Sequence, residues 1–181
     1  MRVVLGLRST VWLLVSLLVA PVVSAAPSDV PLPAPSVDFA PAVFANMRDR
    51  YGSDETAVLR SAIVAAVLRA TQGLTVPDAA TVTVTVRDIA PSHPTRRQQA
   101  ADPAGDPTRT KFIGGADLAG EVRDAHGHVL VNIMYRYYPL TLGMASPSID
   151  PWADARLAID QFAAKLAAAC RRISAGASPA A

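Results

Sequence analysis

Apolar positions along the chain follow two different periods, and the switches between them mark the elements. Over residues 53–72 (SDETAVLRSAIVAAVLRATQ), Leu59, Ile63, Ala66, Val67 and Ala70 recur at helical spacing and form one stripe. Ser53 is a plausible N-cap, Asp54 and Glu55 sit in the first turn where the helix dipole favours negative charge, and Gly73 supplies a left-handed end. From Thr81 to Ile89 the period drops to two: Val82, Val84 and Val86 point one way, while Thr81, Thr83, Thr85 and Arg87 point the other. Such alternation predicts a strand with one covered and one wet face. Residues 116–124 and 129–138 read as a hairpin around Asp124-Ala125-His126-Gly127, with Gly127 taking the positive φ of a bulged turn. Leu118, Val122, Val129, Val131, Ile133, Tyr135 and Tyr137 mark its covered side; Asp117, Glu121, Arg123, Asn132 and Arg136 mark the other.

The helical period returns at residues 150–173. Asp150 caps this segment, Pro151 takes its first position, and Trp152, Ile159, Phe162, Leu166 and Ile173 form its stripe. Two shorter pieces precede the first helix: a strand at Val37–Phe39 and a helix over residues 41–51, with Pro41 at its start and Gly52 beyond its end. Three or four strands with one apolar face, and two helices with one apolar stripe each, assemble most economically as a two-layer α+β sandwich. Its small antiparallel sheet carries both helices on one face.

The ends read differently. Residues 1–25 show Arg2 and Arg8, then an apolar run from Val11 to Ala20 broken only by Ser16, then Val23-Ser24-Ala25. That order is a secretory signal peptide with its cut after Ala25. Pro21 ends the run short of the roughly 20 residues a membrane span needs. Export to the bacterial periplasm is therefore expected, with membrane contact only through the leader before cleavage. Residues 26–36, with four prolines, read as an extended linker, residues 37–173 as one domain, and residues 174–181 as a disordered tail.

Composition changes meaning once the leader is set aside. The chain of 181 residues holds 17 Lys and Arg against 15 Asp and Glu. Without Arg2 and Arg8 the two balance, so net charge gives no support for nucleic-acid binding. Cys170 is the sole cysteine, which excludes an intramolecular disulfide and predicts a buried, inert thiol.

The segment from Val37 to Ile89, with TVTVTVRDI at its end, resembles uncharacterised proteobacterial periplasmic proteins of the domain-of-unknown-function kind. Residues 113–120 (IGGADLAG), followed by the Asp124–Gly127 turn and a late helix, are similar to them too. The resemblance rests on turns, strand starts and helix stripes. It implies an exported small α+β domain and carries over no catalytic residue. The lipobox cysteine of some such proteins is missing here.

Candidate chemistry is sparse. His126 and His128 flank Gly127, and with His93 they are the three histidines a metal site or a metal-dependent envelope hydrolase would use. A polar turn explains the pair at the tip more simply. Residues 90–111 form a long polar loop with four prolines, and Arg96, Arg97, Arg109 and Lys111 in it, together with Arg136, could grip an anionic ligand or an envelope protein. Asp117 and Glu121 read as surface ion-pair partners of Arg123 and Arg136. No G-x-S-x-G elbow is present, and Gly114-Gly115 precedes a strand rather than a helix, so neither a hydrolase nucleophile nor a phosphate loop is signalled. The sequence thus predicts a non-catalytic partner-binding domain of the cell envelope with no cofactor, against the alternative of a hydrolase using His93, His126 and His128.

Overall fold

The computed structural model describes residues 29–176 apart from residue 107. The expected leader, residues 26–28 of the linker, and residues 177–181 of the tail lie outside them. Strands β1 (Asp29–Pro31) and β3 (Thr75–Pro77) pair antiparallel as a small separate ribbon. The main sheet has four strands in the order β2 (Ser36–Phe39), β4 (Ala79–Ala90), β5 (Gly115–Asp124) and β6 (Val129–Tyr137). Its three long strands are antiparallel, and β2 runs parallel to β4. The domain is thus the expected α+β sandwich, with a mixed rather than purely antiparallel sheet. The parallel pair follows from the crossover between β2 and β4, which contains a whole helix.

That crossover holds α1 (Pro41–Asn46), a π-helical turn over Met47–Tyr51, and α2 (Ser53–Thr71). Helix α4 (Ala153–Ser174) lies across β5 and β6, and α2 packs beside it. The periods read from the sequence decide which atoms meet. Val82, Val84 and Val86 of β4, Leu118 and Val122 of β5, Leu59, Ile63 and Val67 of α2, and Ile159, Phe162 and Leu166 of α4 are all buried in one core. Register sets Val84 opposite Gly120 and Gly120 opposite Ile133 on the covered face. A Cβ on Gly120 would stand 2.6 Å from Phe162 Cζ, so the helix approaches the sheet over a position that has no side chain.

Several boundaries differ from expectation. Asp29–Pro31 of the supposed linker is a strand, because Thr75–Pro77 offers it a backbone partner, and Pro35 is buried. Ser53 does not cap α2; Gly52 occupies the cap position, with no side-chain hydrogen bond there. Asp150 caps a turn that precedes the helix: its Oδ1 accepts from Trp152 N (3.0 Å) and its carbonyl from Ala153 N (3.1 Å), and regular α4 begins at Ala153, two residues later than expected. The helix continues through Ser174, the first residue assigned to the tail. Val129, expected on the covered side, is exposed because it opens the edge strand at the hairpin tip. Tyr135 and Tyr137 pack against the core from that same edge and are half-buried.

Candidate functional site

The long polar segment after β4 is an ordered structure built around a buried knot. Ser92, His93 and Thr95 are buried, as is Asp154 in the first turn of α4. Ser92 ties three segments together: its N–H donates to Pro151 O (2.7 Å), its carbonyl accepts from Phe112 N (2.9 Å), and its Oγ accepts from Asp154 N (3.4 Å). Asp154 Oδ1 accepts from Ser146 N at 2.8 Å. Thr95 begins α3 (Arg96–Ala101) with a reciprocal cap: Thr95 Oγ1 accepts from Gln98 N, and Gln98 Oε1 accepts from Thr95 N. Thr-x-x-Gln is a readable capping signature, and it identifies this helix inside a stretch whose prolines and polarity suggest only loop. The expected loop over residues 90–111 is thus interrupted by a strand end at Ala90 and by this capped helix.

The four cations predicted in that segment have different surroundings. Arg96 and Arg97 line a depression of about 370 Å³ with Tyr51, Gly52, Asp54, Glu55 and Val58. Its acidic wall is held in place, since Glu55 Oε2 accepts from Trp152 Nε1 at 2.7 Å and Tyr51 meets the Trp152 ring edge-on. Arg109 lies 3.8 Å from Asp106, whose carboxyl is held below its usual range chiefly by the Thr108 hydroxyl. Lys111 is exposed. Arg136 belongs to a different surface, the open face of the sheet, where its guanidinium lies 5.3 Å from the Tyr138 ring centre.

That open face carries a second depression. Thr83, Thr85 and Arg87 of β4, Ala119 and Glu121 of β5, and Asn132 and Met134 of β6 line a depression of about 380 Å³. Arg87 reaches Met134 Sδ at 2.9 Å and Asp117 at 3.9 Å, while Glu121 pairs with Arg123. Asp117 and Glu121 thus hold ion pairs, as expected, with Arg87 rather than Arg136 as the partner of Asp117. At the rim, the Tyr138 hydroxyl donates to Asp88 at 2.8 Å; burial first, and then this bond, raise its pKa well above the ordinary tyrosine value.

The three histidines are not brought together. His93 is buried near the Gly115 end of β5, because Ser92 beside it is bound to Phe112. His126 and His128 are exposed at the other end, in the hairpin tip. The strand between them has ten residues, a span of roughly 30 Å at strand rise. Among the described residues no three His, Cys, Asp or Glu side chains group as a metal site. The tip has a structural logic of its own. Asp124 accepts from the backbone N–H of His126 and of His128, both at 2.8 Å, and meets His128 Nδ1 at 2.9 Å, while Gly127 takes φ 85°. Desolvation raises the Asp124 pKa, but these hydrogen bonds outweigh it and leave the carboxyl below its usual value. Cys170 is buried, and burial pushes its thiol up to about 11 despite Arg171 next to it.

Cys170 and the His126–His128 pair thus stand apart from the buried knot of Ser92, His93 and Asp154. Among the described residues no helix is long and apolar enough to cross a membrane. Comparison with protein-family models, with curated proteins and with solved structures finds no match to this chain.

Proposed function

We propose that this protein is an exported domain of the bacterial cell envelope, without catalytic activity, that binds a partner through the open face of its sheet. The observation that carries this reading is the face itself. It is a polar depression of about 380 Å³ with Arg87 and Glu121 in its wall, on a fold in which His93, the His126–His128 pair and Cys170 occupy three different places. Concave polar surfaces on rigid strands hold their donors and acceptors at fixed spacing, which favours recognition. Arg136 on the same face adds a cation for an acidic group on the partner.

The test is site-specific photocrosslinking in intact exporting cells. A crosslinker at Thr85 should give one discrete adduct that weakens several-fold with Arg87→Glu or Arg136→Glu. The same crosslinker at Ala164, on the far side of α4, should give none. No adduct at Thr85, or an equal one at Ala164, would remove support for the sheet face.

A further inference from the structure

The depression of about 370 Å³ between the first turns of α2 and α3 shares no lining residue with the one on the open sheet face. It has an acidic and aromatic wall from Tyr51, Asp54 and Glu55, and a basic wall from Arg96 and Arg97. Gly52 lies between them. A Cβ built on it would stand 3.8 Å from Arg97 Cβ and 3.9 Å from Glu55 Cγ, so both walls come close to this one position. Gly52 has φ 114°, a conformation that residues with side chains rarely adopt, and its missing Cβ leaves the floor open.

Both walls are anchored from behind. Trp152 is buried, donates from Nε1 to Glu55 Oε2 at 2.7 Å, and meets Tyr51 edge-on with ring centres 5.6 Å apart. Glu55 Oε1 has no hydrogen bond among the described residues. Arg96 and Arg97 directly follow Thr95, which is buried and capped reciprocally with Gln98, so the backbone that carries them is fixed. Held in this way, opposite charges line one depression without joining. Among the described residues, none of Asp54, Glu55, Arg96 and Arg97 forms an ion pair. Neighbouring charges are engaged elsewhere: Arg48 pairs with Asp49 at 2.7 Å, and Arg50 lies 5.8 Å from the centre of the Tyr51 ring. Asp49 is held below the usual carboxylate range chiefly by Arg48, with Arg97 the least of the causes.

We infer that this depression binds a free α-amino acid with an apolar side chain, its carboxylate on Arg96 and Arg97 and its ammonium on Asp54 and the free oxygen of Glu55. An anion alone would lie against the acids, and a cation alone against the arginines. A ligand that carries both charges meets both walls through charge-assisted hydrogen bonds, and arginine is suited to gripping a carboxylate. Both stems lie within ordinary contact distance of a single Cβ position at Gly52, so the two ligand charges must sit close together, as they do on one carbon. Tyr51 and Val58 supply apolar surface for the side chain. The volume falls within the roughly 300–1,000 Å³ of small-molecule sites. The inference does not rest on the partner-binding reading of the sheet face.

The experiment is calorimetric titration of the protein purified from exporting cells, with L-leucine and L-phenylalanine as probes. At least one probe should give a saturable heat, and should move the Trp152 indole N–H resonance through its bond to Glu55. The N-acetyl form of that probe lacks the ammonium and the amide form lacks the carboxylate. Each should bind about tenfold or more weakly than the parent, since each loses hydrogen bonds to charged groups. Arg96→Gln with Arg97→Gln should weaken binding to a similar degree. So should Glu55→Gln, which keeps an oxygen for Trp152 Nε1 and removes the charge. Arg96 and Arg97 are exposed, so folding should be kept, as circular dichroism will show. Arg87→Glu should leave amino-acid binding unchanged, which separates this site from the sheet face. No saturable heat with either probe, derivatives bound as tightly as the parent, or undiminished binding by the double Gln variant would overturn the inference.

Discussion

Asp154 is a carboxylate with 0% exposure, held by one backbone donor, Ser146 N, at Oδ1. Its Oδ2 is buried without a hydrogen bond among the described residues. Removing a buried acceptor strands its donor, so Asp154→Ala should cost about 1–3 kcal/mol in urea unfolding. Asp154→Asn, which keeps an oxygen for Ser146 N–H, should cost less; an equal loss would show that the second carboxyl oxygen is needed as well. Asp124 makes a pH-dependent contribution at the opposite end of the sheet. Its folded pKa lies below its unfolded one, so its stabilising effect is complete above the unfolded value of about 3.9 and is lost as pH falls through the folded value. The His126 and His128 amide resonances should therefore show an inflection at acid pH, below the unfolded carboxyl value, and Asp124→Asn should abolish that inflection. The turn that Asp124 opens was legible in the sequence, whereas the surroundings of Asp154 were not. Asp154 looks like any first-turn acid in the sequence, and its burial arises from the segments that converge on Ser92.

Between elements, the closest packing lies where β5 passes under α4. Gly120 alternates with Leu118 and Val122 on the covered face, so strand periodicity assigns its side, and a glycine inside a strand already suggests close approach by something else. That the something is Phe162 depends on how α4 crosses the sheet. Gly120→Ala should destabilise the fold by about 1–3 kcal/mol through overpacking. Combined with Phe162→Leu the cost should be smaller than the two single losses added, measured by a double-mutant cycle in thermal or denaturant unfolding; simple additivity would show that the two do not touch. Helix α3 is the opposite case. Thr95 and Gln98 spell out its cap, yet prolines and charge on both sides make the segment look like loop. Strand β1 had no readable signal, because three residues ending in Pro31 become a strand only when Thr75–Pro77 lies beside them.

At the scale of the whole molecule, one face of the sheet is used up by two helices and the other is left open, while the uncharged 137–149 segment projects from one end. The reading of residues 1–25 as a leader makes a direct prediction. The exported protein should have a mass that begins at Ala26, with positive and negative residues in balance. A mass that includes Met1 would leave an apolar anchor in place and withdraw the envelope reading in its present form. The separation of His93 from His126 and His128 also belongs to this scale, for it is set by the length of β5 and not by anything local to the three residues.

The sequence by itself determined the elements with a strict period and the faces they turn inward. Val82, Val84 and Val86, the stripe of α2 and that of α4 announce both conformation and burial, because a single repeat sets which side chains share a face. Which polar residues are enclosed, which apolar ones are left outside, and which distant groups meet were decided only by tertiary structure. Those outcomes depend on strand order, on the parallel placement of β2 beside β4 and on the crossing of α4 over Gly120. Such contacts join residues far apart along the chain, and no local period encodes them.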